Sequence, residues 1–190
     1  MATVCVFAGS SAGNNAAYTA AAAALGAAIA SSGSRLVYGG AEVGLMGAVA
    51  DAALAGEADV IGVIPESIAR LEVAHTRLTD LIVVASMHAR KATMAELADV
   101  FIALPGGFGT LDETFEALTW TQLGIHKKPV GLLNVDGYYD PLLVFLDKVT
   151  ERKFVHPQHR AMLLVDDNPV VLVDRLRRSH LPTVSKLADR

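Results

Sequence analysis

Apolar residues fall along this chain in short continuous blocks, and longer, looser stretches separate them. Thr3 to Ala8 is an unbroken β-branched and apolar run, which predicts a strand covered on both faces. Arg35 to Tyr38, Asp59 to Ile64, Leu81 to Val84, Asp99 to Leu104, Pro129 to Leu133 and Leu163 to Val165 repeat that pattern and predict six more strands. The intervening segments predict helices. Asn14 or Asn15 is placed to cap a first helix running to about Ser32. Others are expected from about Gly44 to Ala55, from a Ser86 cap to Leu97, from Thr110 to about Leu123, from near Tyr139 to Arg152, and from Pro169 to Arg178. Strands alternating with helices imply parallel β-α-β units, hence an α/β doubly wound parallel sheet in a single domain. The domain is expected over residues 1–182, with residues 183–190 as a flexible C-terminal tail.

Two features test this reading. Ala20 to Ala30 is alanine-rich, but it is bounded by Tyr18 and Ser31 and carries Gly26. A membrane span needs roughly 18 or more apolar residues, so the segment is expected to pack as a helix. In doubly wound sheets, ligands bind at the carboxyl ends of the strands. The glycines Gly9, Gly39-Gly40 and Gly106-Gly107-Gly109 all fall at such ends.

Composition narrows the class of function. With 52% hydrophobic and 19% charged residues over 190 positions, the chain has enough apolar surface to fold and bury a core. The net charge of -4 excludes broad electrostatic capture of nucleic acid, while leaving room for a local phosphate site. The single cysteine, Cys5, cannot form an intrachain disulfide and sits in an apolar run, so it is expected to be a buried, inert thiol. The first strand begins almost at once, without a basic leader, and a cytoplasmic location is expected.

The strongest local motif is Pro105-Gly106-Gly107-Phe108-Gly109-Thr110-Leu111-Asp112-Glu113, between a buried strand and a helix. Glycines let backbone N–H groups approach a ligand, and a helix N-terminus adds partial positive charge, so together they suit a phosphate. The same residues also read as a capping box, with Thr110 and Glu113 only satisfying the helix end. In Met87-His88-Ala89-Arg90-Lys91-Ala92-Thr93-Met94, helical spacing puts Met87, Arg90, Met94 and Leu97 on one face. Arg90 interrupts that apolar stripe and calls for an anion, unless its head snorkels to solvent. Lys91 lies on a neighbouring face, where solvation explains it. Gly39-Gly40-Ala41-Glu42-Val43-Gly44-Leu45-Met46-Gly47 reads either as part of a nucleotide site or as a tight turn with close helix packing.

Gly9-Ser10-Ser11-Ala12-Gly13 matches the nucleophile elbow of serine hydrolases, but nothing selects an acid or histidine to complete a triad. The six histidines show no zinc spacing, and His156 and His159 beside Pro157 are expected in a loop.

With those residues in view, the chain resembles the Lonely Guy family of cytokinin-activating phosphoribohydrolases, often mislabelled lysine decarboxylases. The family signature P-G-G-x-G-T-x-x-E is matched by Pro105 to Glu113, and M-H-x-R-K-x-x-M by Met87 to Met94. Gly9-Ser10-Ser11, Gly44-Leu45-Met46-Gly47 and Thr119-Trp120-x-Gln122-Leu123 also fit, and the resemblance extends to about Leu176. It implies a Rossmann-like fold, usually in a homodimer. The implied reaction hydrolyses the N-glycosidic bond of cytokinin riboside 5′-monophosphates, or AMP, to free base and ribose 5-phosphate, with neither cofactor nor metal. Arg90 and Glu113 are the implied catalytic pair. Gly106, Gly107, Phe108, Gly109 and Thr110 form the implied phosphate cradle, with Gly9, Ser10, Gly39, Gly40, Glu72, Met87 and Lys91 as further substrate contacts. Ala41 departs from the third glycine the family often carries. A non-catalytic carrier of nucleotides or phosphorylated cofactors on the same fold, and a pyridoxal-phosphate decarboxylase, are the rival readings.

Overall fold

The computed structural model describes residues 1–69 and 74–179. Glu72 and the expected tail at 183–190 therefore lie outside the described residues. Seven parallel strands form one sheet in the order β4-β3-β2-β1-β5-β6-β7. The strands are β1 (Thr3–Phe7), β2 (Arg35–Tyr38), β3 (Val60–Pro65), β4 (Asp80–Val84), β5 (Val100–Ala103), β6 (Val130–Leu133) and β7 (Leu163–Asp166). All seven coincide with predicted strands, because strands covered on both faces are written as apolar runs. The principal helices are α1 (Ala16–Ser31), α2 (Gly44–Ala55), α4 (Met87–Leu97), α5 (Phe108–Leu123), α6 (Asp140–Glu151) and α8 (Pro169–Arg178). Two short helices, α3 (Glu66–Ala69) and α7 (Pro157–Arg160), escaped the pattern because one turn carries no period to read.

The pleat of β1 divides the interior. Val4 and Val6 join a core with α1, α2 and α8, whereas Cys5 and Phe7 join the opposite core with α4, α5 and α6. The α1–α2 contact is unusually close. A β-carbon on Gly26 would lie 2.3 Å from the Val49 carbonyl oxygen, and one on Gly56 would lie 2.5 Å from the Ala30 methyl. Asn15 caps α1 by accepting from Ala17 N–H, and Ser86 caps α4 by accepting from Ala89 N–H. Cys5 is free and buried, as expected. Among the described residues, no helix is long and apolar enough to cross a membrane.

The sheet is wound in opposite directions from β1 and β5, which lie side by side. This is the topological switch, and the loops leaving the two strands form a crevice above it.

Candidate active site

A cleft of about 370 Å³ opens at that crevice. Gly9 and Ser10 enter it from the β1 loop, Met87, Arg90 and Lys91 from the first turns of α4, and Gly107 to Thr110 with Asp112 and Glu113 from the start of α5. Met46 and Ile68 add apolar surface. Ten of the predicted contact and catalytic residues thus converge: Gly9, Ser10, Met87, Arg90, Lys91, Gly107, Phe108, Gly109, Thr110 and Glu113.

The α5 terminus decides between the two readings of its motif. The helix begins at Phe108, two residues before the predicted start, and its N-cap is Gly107, with no side chain capping it. Thr110 and Glu113 sit inside the helix, so the capping-box reading does not hold. Thr110 is buried, and a β-carbon on Gly106 would meet its Oγ1 at 2.1 Å. Gly107 and Gly109 differ: a β-carbon on either would meet nothing within 4 Å. Neither has a positive φ. The protein's own packing therefore does not demand glycine there, and the backbone is left open to close approach from the cleft. Phe108 between them is 93% exposed.

Arg90 is 8% exposed, so its head does not snorkel. Nη1 donates to the Met87 sulfur at 3.6 Å, and Nε has no hydrogen-bond partner among the described residues. A buried guanidinium with an unmet donor favours an incoming anion. Gly39 makes its position possible, since a β-carbon there would fall 1.8 Å from Nη2.

Glu113 lines the same cleft. Burial raises its pKa from 4.5 to about 7, against the opposing pull of Arg90. Asp112 and Glu116 push it up further, and Lys91 holds it down. Such a carboxyl exchanges its proton near neutrality, as a general acid–base group must.

Lys91 is not solvated as its helical position suggested. Its side chain is 11% exposed, and the ammonium contacts Asp112 at 3.0 Å and Glu116 at 3.1 Å. Burial works against that charge, but bonding to the two carboxylates outweighs it and raises the pKa.

Other predicted contacts stand behind the cleft. Gly39 and Gly40 support it without lining it. Gly40, at φ 79°, packs against Ile64 and Leu81. Ala41 is in the core and accepts from the Tyr38 hydroxyl at 3.2 Å, so this departure from the family pattern falls away from the cleft. Gly44 lets Ser10 lie against it, and Leu45 N–H donates to the Gly9 carbonyl at 3.1 Å. The glycines after β2 thus support the β1 loop. Ser11 accepts from Gly13 N–H, an internal turn bond. His159, expected in a loop, is buried on α7 with Nδ1 3.2 Å from the Gln122 amide nitrogen. Met46, Ile68 and Asp112 were not singled out from sequence. Asp112 was legible beside Glu113, but Met46 and Ile68 reach the cleft only through the fold.

Residues 46–176 match the family described as possible lysine decarboxylases. The chain is 47% identical over 187 residues to the cytokinin riboside 5′-monophosphate phosphoribohydrolase LOG1 of Arabidopsis thaliana, covering 98% of this chain and 87% of that protein. It belongs to the LOG family. A probable LOG relative from Oryza sativa subsp. japonica, LOGL2, is 48% identical, covering 97% of this chain and 77% of that protein. The LOG fold also matches the molybdenum cofactor binding protein of Rippkaea orientalis, with a TM-score of 0.71 and 25% identity over 93% of this chain and 95% of that one. The uncapped α5 terminus, Arg90 and Glu113 of this LOG chain all lie within the matched stretch.

Proposed function

We propose that this protein hydrolyses the N-glycosidic bond of cytokinin riboside 5′-monophosphates, with AMP as a related substrate, releasing the base and ribose 5-phosphate. One observation carries the reading: a carboxyl titrating near pH 7 shares a cleft with a buried guanidinium and an uncapped helix terminus. The phosphate docks on the Gly106 to Thr110 turn and toward Arg90, which fixes the ribose beside Glu113. As the C1′–N bond breaks, positive charge develops on the ribose and ionised Glu113 stabilises it. Glu113 also draws the proton from the attacking water. The hydroxyl joins C1′, and the proton is delivered onward to the departing base. Met46, Met87 and Ile68 offer the apolar surface a base requires.

Glu72 would add a contact from outside the described residues. The scheme draws on no metal or organic cofactor. The assembly is read as a cytoplasmic homodimer; the family resemblance supports the dimer, and the lone buried thiol suits a reducing compartment.

The decarboxylase reading needs a lysine that can lose its proton to form a Schiff base. Lys91 is held in the opposite state by Asp112 and Glu116. The carrier reading shares the fold, as the Rippkaea orientalis protein illustrates.

The test is to incubate the protein with AMP and with N6-isopentenyladenosine 5′-monophosphate and to follow free base by chromatography. Base release by the wild type, lost in Glu113→Gln and Arg90→Ala, supports hydrolysis. Tight binding of both nucleotides without base release makes the protein a carrier.

A further inference from the structure

Two adjacent tyrosines follow β6 and reach back to the turn that leaves β5. The Tyr139 hydroxyl donates to the Leu104 carbonyl at 2.6 Å, and the Tyr138 hydroxyl donates to the Gly106 carbonyl at 2.7 Å. The two rings meet edge to face, with centroids 4.9 Å apart. Tyr139 is fully buried, while the Tyr138 ring leans edge-on against Tyr18 of α1 at 5.7 Å.

The segment carrying them is braced by two internal side-chain bonds and one to α1's cap. Asn134 accepts from Tyr139 N–H at 2.8 Å and donates to Asp140 at 2.7 Å. Asp136, held at φ 51°, accepts from the Asn15 amide at 3.0 Å. A left-handed aspartate is strained relative to glycine, yet here its side chain reaches the cap of α1.

The bond to Gly106 has a definite consequence. The carbonyl of Gly106 and the N–H of Gly107 belong to one planar trans peptide and point in opposite directions. Fixing the carbonyl fixes the N–H. Gly107 is the N-cap of α5 and lines the cleft, where a β-carbon would meet nothing. Leu104 and Gly106 flank Pro105, so both carbonyls bordering the turn are held from the same segment.

We propose that Tyr138 is a positioning residue that orients the Gly107 N–H of the β5–α5 turn toward the substrate phosphate, while Tyr139, whose bond falls on the Leu104–Pro105 peptide that carries no N–H, anchors the start of the turn. Neither touches the reacting atoms. This rests on the reading of that turn as the phosphate cradle.

The test uses Tyr138→Phe, which keeps the ring and its contact with Tyr18 and removes only the hydroxyl. Loss of one hydrogen bond's worth of preorganisation is expected to weaken ribose 5-phosphate binding about three- to tenfold and to raise KM by the same factor. The expected change in kcat is less than about twofold, because the bond acts on ground state and transition state alike. Tyr139→Phe is expected to weaken binding less, because its bond fixes a peptide without an N–H, and to lower Tm because its hydroxyl is buried. Unchanged affinity for ribose 5-phosphate in Tyr138→Phe, with or without a fall in Tm, overturns the proposal. Calorimetric affinity for ribose 5-phosphate needs no turnover. Wild-type binding without base release would sink the hydrolase reading while the tyrosines are still judged on affinity. Failure of the wild type to bind ribose 5-phosphate overturns the cradle and the proposal together.

Discussion

Replacing Glu113 by glutamine is expected to change how stability depends on pH, and the structure sets the size of the change. Burial lifts the carboxyl from 4.5 to about 7. The folded state therefore holds a proton that the unfolded chain has lost between those values. Stability linked to this group is fully present below about pH 4.5 and is lost as pH rises through about 7. At about 1.36 kcal/mol per pH unit, the climb amounts to about 3 kcal/mol at most. In a chain of this size that is roughly 6–12 °C in Tm. Glutamine stays neutral throughout, so Glu113→Gln should match the wild type near pH 4.5, gain on it up to about pH 7 and hold that lead at pH 8. Thermal unfolding of both proteins across that range reads the difference. In the proposed mechanism Glu113 acts ionised, so the same group should give kcat/KM an acid limb near pH 7. The substrate phosphate titrates near pH 6 and adds its own limb. The enzyme's limb is the one that moves upward in Lys91→Met, because Lys91 holds Glu113 down. Parallel stability curves for wild type and Glu113→Gln from pH 5 to 8 would refute the reasoning.

Two further substitutions probe the glycines. Gly39→Ala places a methyl 1.8 Å from Arg90 Nη2 and 2.9 Å from the Met46 sulfur. It should displace the guanidinium and lower base release on the order of a hundredfold, in keeping with the loss of one positioned group; a rate within twofold of wild type would contradict this assignment. Gly107→Ala meets no protein atom and has a φ of -87°, so Tm should hold or rise slightly. Ribose 5-phosphate binding should weaken about tenfold if the phosphate approaches that backbone, and unaltered affinity would place the phosphate elsewhere.

Much of this was legible beforehand for physical reasons that also mark where legibility stopped. Strands buried on both faces declare themselves as apolar runs, and Asn15 and Ser86 announce helix starts with side chains. The start of α5 was misplaced because its cap is a glycine with no side chain to read, followed by an exposed phenylalanine. Arg90 betrayed itself by interrupting an apolar stripe. The pairing of Lys91 with Asp112 and Glu116 joins two helices 21 and 25 residues apart in the chain, and neither helix alone hints at it. Tyr138 and Tyr139 escaped for the same reason: each bonds a carbonyl more than thirty residues away. The glycines after β2 looked like ligand contacts because glycine serves both close packing and ligand approach. Only the neighbours of a hypothetical β-carbon separate the two roles.

The tight seam between α1 and α2 bears on how such a chain can change over time. Gly26 and Gly56 admit no added carbon without moving the Val49 carbonyl or the Ala30 methyl. The exposed alanines on the far side of α1 face no such ceiling. Drift in this helix should therefore be lopsided, with free exchange outward and a size limit inward. A larger residue at position 26 would have to arrive with a shift of one helix along the other. Because α2 begins where Leu45 N–H meets the Gly9 carbonyl, such a shift would be felt at the rim of the cleft, so this seam couples the history of a surface helix to that of the site.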